Sequence, residues 1–372
     1  MYKLNKHTIV TDANSILLMR TIRNENKYLS TELIEECFEY GKTNYIDKVV
    51  TGNGFTTGFS YLQPKRGKVN VLVAPNKSVV KDKEREYKNR TFAPKKKVGF
   101  VYEGSSLKHN VNYYDLIVLV SDSFVNNAWK LKGNIDKLMI DEFHSVLIQS
   151  SFRNSLKKIQ YKLEEDFKEC CIAFVTASPL LYSEIDITIN NELVKPRKLH
   201  TTQEVDKFIG RAVKSIQNGR KTLIFTQDGS VVKKILTLSE RNDFRLISGE
   251  NFVTTLLSKD FYTLNESSNI VVCSSAAFEG WSDYSLNGDI YIYMNLNNAH
   301  NTFLGANIYQ AIGRLREGYN YAEVCVQKVG GGFANKCITY LDAKLDPNLP
   351  REQLKDNLLN LVFKAHRLQV RT

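Results

Sequence analysis

The sequence predicts an α/β protein of two domains, each a mostly parallel sheet flanked by helices. Three observations carry this reading. Apolar runs of strand length, such as Val69-Asn70-Val71-Leu72-Val73-Ala74, alternate with helical segments, the pattern of a parallel sheet. One run, Leu138-Met139-Ile140, ends in the adjacent carboxylates Asp141 and Glu142, with His144 two places beyond, and open α/β sheets bind ligands at such strand ends. The pattern loosens from about Glu192 to Arg197, with Pro196 as punctuation, and a new alternation follows. The expected domains are therefore residues 1–194 and 195–372, and a chain of 372 residues with 42% hydrophobic content can bury two cores.

Residues 1 to about 45 read as a mixed lead-in followed by a helix. Ser30 or Thr31 caps the run Glu32 to Phe38, whose first turn is acidic as the helix dipole prefers. Gly41-Lys42-Thr43 resembles the end of a phosphate loop but is rejected, because Glu36 stands where that loop needs glycine. Asp47-Lys48-Val49-Val50 reads as a short strand entering the turn Thr51-Gly52-Asn53-Gly54-Phe55-Thr56-Thr57-Gly58, with a helix after it. Glycines let backbone N–H groups converge on phosphate oxygens. The usual lysine is absent, Phe55 taking its place, while Thr56 occupies the position of the hydroxyl that ligates Mg²⁺. An ordinary glycine-rich turn is the competing account.

Val69 to Asn76 is a second strand ending in a turn. The charged stretch from Lys81 to Lys97 alternates in sign, which favours a solvated helix face over a phosphate-tracking surface. Asp115 to Val120 is a third strand, and Ser121-Asp122-Ser123 after it suits contacts from a helix N-terminus to phosphates. At the acidic strand, one carboxylate can hold Mg²⁺ while its neighbour orients or deprotonates the water that attacks a γ-phosphate. Cys171 to Val175 is the next strand. The Thr176-Ala177-Ser178 hydroxyls after it either link the site to a neighbouring domain or form a turn before Pro179.

In the second half a helix is expected from about Gln203 to Gln217, then strands at Lys221–Thr226, Arg245–Gly249 and Asn269–Cys273. Two stretches carry polar residues at element ends: Ser274 to Asp283, and Gln310 to Glu317 with Arg314 and Arg316. Such an arginine pair either reaches a transferring phosphate or makes surface salt bridges. Gln353 to Val370 has the apolar stripe of an amphipathic helix in Leu354, Leu358, Leu361 and Val362.

The formal net charge of +11 favours an anionic partner, nucleic acid first, although excess lysine also serves solubility. No apolar run reaches the roughly 18 residues of a membrane span, and no signal-peptide segment follows the basic N-terminus. Six cysteines without a C-x-x-C pair argue for reduced thiols in a cytoplasmic compartment. The lysine-, asparagine- and tyrosine-rich composition suits an AT-rich genome, bacterial or viral.

Taken in order, these stretches resemble the superfamily-two helicases, close to their DEAD/DEAH-box-like members, over nearly the whole chain. Thr51 to Thr57 is similar to the phosphate loop T-G-x-G-K-T-T, with Phe55 in the lysine slot. Asp141-Glu142-Phe143-His144 matches D-E-x-H, and Thr176-Ala177-Ser178 looks like a permuted S-A-T. Val71 to Asn76, with Pro75, resembles the strand that opens motif Ia. Leu223-Ile224-Phe225 before Thr226 resembles motif IV, Ser274 to Asp283 with Gly280 resembles motif V, and Gln310-Ala311-Ile312-Gly313-Arg314 looks like Q-x-x-G-R of motif VI. Two further departures stand beside Phe55. The last arginine of motif VI falls at Glu317, with Arg316 one place early, and the motif V acid falls at Asp283 instead of position 282.

The resemblance implies two RecA-like domains with ATP in the cleft between them and nucleic acid across both. It implies nucleotide contacts from Gly52, Asn53, Gly54, Phe55, Thr56, Thr57, Gly280 and Asp283, and Mg²⁺ at Thr56 and Asp141. Glu142 would activate water, with Gln310, Arg314 and Arg316 acting from the second domain. His144, Thr176 and Ser178 would couple the sites, and Pro75, Ser121, Ser123, Thr226 and Ser274 would touch single- or double-stranded DNA or RNA. The expected function is an ATP-dependent helicase or translocase. The alternative is a nucleic-acid-binding module on the same scaffold that hydrolyses nothing, because Phe55 removes a phosphate contact. A duplex translocase that remodels bound proteins is a third reading.

Overall fold

The structure is a computed structural model that describes residues 8–12, 15–26, 28–39, 43–49, 52–145, 159, 162–163, 165–167, 169–177, 185–191, 198–247, 262–274, 281, 283–295, 305–316, 318–327 and 369–371. The chain divides into two compact units, Met1–Lys195 and Pro196–Thr372. Each is an α/β unit built on a parallel sheet, as the alternation of strands and helices predicts.

In the first unit the strands are β1 (Thr8–Asp12), β2 (Ser15–Asn24), β3 (Thr43–Asp47), β4 (Val69–Ala74), β5 (Val98–Val101), β6 (Leu116–Val120), β7 (Ile135–Asp141), β8 (Cys171–Thr176) and β9 (Ile187–Asn191). Their order across the sheet is β1-β2-β9-β3-β8-β7-β4-β6-β5, and the β1–β2 pairing alone is antiparallel. Every residue of β4 and of β7 is buried, as expected of central parallel strands covered on both faces. Register brings three strand ends to one edge: Asp47 pairs with Thr176, and Asp141 pairs with Val175. The carboxyl ends of β3, β8 and β7 therefore lie side by side.

The helices of this unit are α1 (Thr31–Glu39), α2 (Phe55–Phe59), α3 (Lys77–Lys88) and α4 (Ser121–Leu131). Ser30 is the residue that caps α1, its Oγ accepting from Leu33 N at 3.3 Å. Asn76 caps α3 in the same way, accepting from Val79 N at 3.2 Å. The charged stretch forms α3 only as far as Lys88, with the pairs Arg85–Asp82, Lys83–Glu86 and Lys88–Glu84 one turn apart at 2.8, 2.7 and 2.9 Å. That is the solvated face the alternating charges predict. Lys96, by contrast, lies beyond the helix, where it is buried and donates to Leu62 O.

The strand expected at Asp47–Val50 lies earlier, at Thr43–Asp47, because Val49 adopts φ 61°, a conformation that ends an extended chain. The lead-in contains two strands. β2 carries few apolar residues beyond Arg20 and is held instead by backbone pairing to β9, which no local pattern announces.

The second unit holds β10 (Lys198–Thr202), β11 (Thr222–Phe225), β12 (Asp243–Ile247), β13 (Thr263–Leu264), β14 (Ile270–Cys273), β15 (Gly288–Asn295), β16 (Tyr319–Gln327) and β17 (Gln369–Arg371). Their order is β13-β12-β14-β11-β15-β16-β10-β17, with every pairing parallel. The helices are α5 (Val205–Gln217), α6 (Gly229–Leu238) and α7 (Gly305–Ile312). Most of the amphipathic helix expected over Gln353–Val370 falls outside the described residues. Its last two positions are a correction: Gln369 and Val370 belong to β17, paired in parallel with β10.

Helix α2 is seated by α1. Phe38 and Phe59 pack with ring centroids 5.2 Å apart, and a Cβ on Gly58 would collide with the buried Ile34. Gly58→Ala is expected to lower the stability of the first unit by about 1–3 kcal/mol through overpacking. A denaturant midpoint equal to that of the parent chain would contradict this seating.

Candidate active site

The edge formed by β3, β8 and β7 collects the residues of interest in the first unit. β7 delivers Asp141 and Glu142, which are 6% and 9% exposed. Glu142 takes φ 48°, an uncommon conformation for a side-chain-bearing residue, and its N–H donates to Asp141 Oδ1 at 3.1 Å. The chain thus turns sharply at the second acid and holds both carboxylates at the strand end.

The turn after β3 reaches the same carboxylates. Gly52 and Gly54 have φ of 79° and 84°, left-handed values that glycine adopts without a Cβ penalty. Asn53 braces the turn: its Nδ2 donates to Lys48 O at 3.0 Å, and its Oδ1 accepts from Phe55 N at 3.2 Å. Thr56, in the first turn of α2, donates from Oγ1 to Asp141 Oδ2 at 2.8 Å. The hydroxyl and acid singled out in the sequence, 85 residues apart, are in direct contact. Thr57 follows on the same short helix and is half-buried. Phe55 points elsewhere: it is 1% exposed within the apolar cluster that contains Phe38 and Phe59.

A side chain that the sequence reading left without a role completes the group. Lys48, the first residue beyond β3, places Nζ 3.1 Å from Asp141 Oδ1 and 2.7 Å from Glu142 Oε1. Burial pulls its ammonium toward neutrality, but the facing Asp141 and Glu142 charges outweigh this and hold its pKa above the ordinary lysine value. The available signal was a lysine beside the glycine turn of a loop that lacks its own.

The histidine of D-E-x-H joins through β8. Thr176 Oγ1 donates to Glu142 Oε2 at 3.2 Å and lies 2.7 Å from His144 Nδ1. His144 Nδ1 also stands 3.5 Å from Glu142 Oε2, so hydroxyl, imidazole and carboxylate meet at one point. His144 is fully buried, and Thr176 O also accepts from Lys48 N at 2.7 Å. Ser178 lies outside the described residues.

The oxygens of Thr56 and Asp141 are hard donors one hydrogen bond apart, a set that suits Mg²⁺ completed by water and phosphate oxygens. A closed cage of three or more His, Cys, Asp or Glu residues is absent among the described residues.

The remaining nucleic-acid candidates of this unit occupy three places. Pro75 is buried in the turn after β4, Ser123 is half-buried in α4, and Ser121 opens α4. The Ser121 hydroxyl has no hydrogen-bond partner among the described residues.

In the second unit, Gln310 and Arg314 form one buried group at the end of α7. Arg314 donates from Nε to Gln310 O at 2.9 Å, from Nη2 to Gln310 Oε1 at 2.8 Å, and from Nη1 to Trp281 O at 2.7 Å. Asp283 lies alongside, its N–H donating to Arg314 O and its O accepting from Arg316 N, both at 2.9 Å, with Lys221 Nζ 3.4 Å from its carboxylate. The segments resembling motifs V and VI are therefore neighbours in space. Burial raises the Asp283 pKa, and the Ser285 and Lys221 contacts reverse that to a value below the ordinary one. Thr226 and Ser274 are buried at the ends of β11 and β14, where the Thr226 hydroxyl accepts from Asp228 N at 2.9 Å. Gly280 lies outside the described residues.

No family model and no curated protein matches the sequence, whereas solved structures do. The Mycobacterium smegmatis helicase Lhr bound to ssDNA and AMP-PNP is similar with a TM-score of 0.54 and 13% identity, covering 91% of this chain. S. cerevisiae Dbp5 bound to RNA and ADP BeF3 has a TM-score of 0.54 and 14% identity over 91% of this chain and 94% of its own. The Escherichia coli DEAH/RHA helicase HrpB has a TM-score of 0.53 and 11% identity over 81% of this chain. The chain spans 52% of the Lhr structure and 42% of the HrpB structure. At these identities the likeness is one of fold: two RecA-like α/β units.

Thr176→Val removes one hydrogen bond each from His144 and Glu142. Unfolding free energy is expected to fall by about 1–3 kcal/mol, the sum of two ordinary net hydrogen-bond contributions. A chemical-denaturation curve unchanged by the substitution would remove Thr176 from this network.

Proposed function

We propose that this chain is an ATP-driven helicase or translocase acting on DNA or RNA. The observation that carries the reading is the contact of Thr56 with Asp141, which brings the glycine turn and the acidic strand end together at one sheet edge. That arrangement supplies a triphosphate with backbone N–H groups, a hydroxyl and a carboxylate, with a second carboxylate next to them.

In this proposal Gly52, Asn53, Gly54 and Thr57 border the phosphates, while Phe55 packs beneath the turn. Thr56 and Asp141 would hold Mg²⁺, which when bound neutralises charge developing on the phosphate oxygens. Glu142 is assigned the attacking water: its carboxylate is positioned by Thr176 and sits beside Asp141, within reach of a group that Asp141 orients. His144 and Thr176 serve as the link by which changes at the acids reach the end of β8.

For the second unit the assigned roles are those the sequence resemblance implies. Gln310 and Arg314, with Arg316, act toward the transferring phosphate, and Gly280 and Asp283 toward the nucleotide. Arg314 would exchange its bond to Trp281 O for a phosphate oxygen. Nucleic acid is assigned to Pro75, Ser121, Ser123, Thr226 and Ser274. Three things support a nucleic-acid partner: the net charge of +11, the fold shared with proteins solved on ssDNA and RNA, and the buried Ser121 hydroxyl with its donor capacity unspent. No helix of the described residues is long and apolar enough to cross a membrane, and we assign a cytoplasmic setting, in a bacterial cell or a virus-infected host.

A second reading is favoured by one observation, the burial of Phe55 where the loop ordinarily offers a cation. On that reading the chain binds nucleic acid and hydrolyses nothing.

ATP hydrolysis measured with and without single-stranded DNA or RNA separates the two. The proposal expects hydrolysis stimulated by nucleic acid. It also expects Glu142→Gln to lower turnover at least a hundredfold, the ordinary worth of a positioned base, without loss of nucleotide binding. A purified chain that hydrolyses no ATP at any nucleic-acid concentration would select the binding module.

A further inference from the structure

We propose that Lys48 is the phosphate-contacting cation of this site, acting from the end of β3 in place of the lysine that position 55 lacks. The inference rests on the reading of this sheet edge as a triphosphate site. It identifies which group supplies the positive charge there.

Position 55 is closed to that role by packing. Phe55 is 1% exposed in the apolar cluster that also holds Phe38 and Phe59, so its side chain is committed to the core beneath the turn. A charged group projected along the same direction would be buried among hydrocarbon without a partner. The turn therefore needs a cation from another position.

Lys48 meets the requirement by placement. One oxygen of Asp141 accepts from Thr56 Oγ1 at 2.8 Å, and the other accepts from Lys48 Nζ at 3.1 Å. Ammonium and hydroxyl thus flank a single carboxylate, and the ammonium is one carboxylate's width from the atom assigned to the metal. The same Nζ reaches Glu142 Oε1 at 2.7 Å. An ammonium has three N–H groups. Asp141 and Glu142 can take two of them, which leaves donor capacity for a third acceptor. Such a group can retain one carboxylate and turn toward an incoming phosphate.

The backbone holds Lys48 in that position. Its N–H donates to Thr176 O at 2.7 Å, and its O accepts from Asn53 Nδ2 at 3.0 Å, so the residue is tied to β8 and to the tip of the glycine turn. Val49 follows at φ 61°, a rare conformation for a β-branched residue, which ends the extended strand conformation immediately after the lysine. A static counter-ion for two buried acids is the rival account. Buried ion groups of this kind cost desolvation and are often matched in stability by apolar residues, so stability alone does not call for the trio.

The two accounts separate on nucleotide discrimination. Equilibrium binding of ATP, and of AMP by competition, is measured with Mg²⁺ on the full chain, on Lys48→Met and on Lys48→Arg. The proposal expects Lys48→Met to cut the preference for ATP over AMP about tenfold to hundredfold, as for a lost charge-assisted contact. Lys48→Arg is expected to recover at least tenfold of that loss. Lys48→Met leaves Asp141 and Glu142 facing each other without a cation. If that chain does not fold, Lys48→Met in the Glu142→Gln background is compared with Glu142→Gln alone, and the same loss is expected. An unchanged ATP-to-AMP ratio, with ATP binding intact, overturns the role of Lys48 and leaves the triphosphate site standing. A parent chain that binds neither nucleotide overturns the site itself, and the assignment with it.

Discussion

The carboxylate of Asp141 is the contact on which the sheet edge of the first unit is assembled. One of its oxygens takes the Thr56 hydroxyl and the other takes the Lys48 ammonium, so a single side chain joins the end of β7 to both ends of the turn after β3. That meeting depends on strand order and register. β8 separates β3 from β7, and its pairing with both sets their carboxyl ends level. A one-residue slip would turn every side chain on the slipped strand to the other face. Thr176, the last residue of β8, fills the gap and bonds to Glu142.

The energetic weights in this unit differ with depth. The ion pairs along α3 are partly exposed and one turn apart, and each is worth a few tenths of a kcal/mol. The group formed by Lys48, Asp141 and Glu142 is buried, and its desolvation cost rivals its attraction. Apolar packing beneath it, around Phe38, Phe55 and Phe59, supplies the firm base on which the turn sits. The strained backbone at Val49 and Glu142 brackets the same spot. Strain and buried charge together mark a place where stability has been given up for geometry.

Much of this was legible before any coordinates. The apolar run ending in Asp141 and Glu142 announced a central strand with both acids at its carboxyl end, and the glycines at 52 and 54 announced a tight left-handed turn. Thr56 was readable from its place after those glycines. Lys48 was not, because it sits outside every short pattern: its role arises from where Asn53 and Thr176 hold its backbone, and no spacing rule encodes that. The boundary of β3 was misplaced because Val49 and Val50 favour strands locally, while the turn imposes a left-handed conformation at Val49. β2 and β9 were missed because their partner lies more than 160 residues away and their stability comes from pairing. β15 buries Tyr291 and Tyr293 beside aliphatic residues and β16 opens on the half-buried Tyr319 and Tyr321, so neither reads as a purely aliphatic run. Arg314 was recognised from its motif, but its enclosure by Gln310 and Trp281 is visible only in three dimensions.

The central claim is that Asp141 organises a triphosphate site whose cation comes from Lys48. Its most direct measurement is a crystal structure of the chain with Mg²⁺ and a non-hydrolysable ATP analogue. The account predicts Thr56 and Asp141 beside the metal and the Lys48 ammonium within hydrogen-bond distance of a phosphate oxygen. An analogue bound away from the turn after β3, or bound there with Lys48 turned from every phosphate, would contradict it.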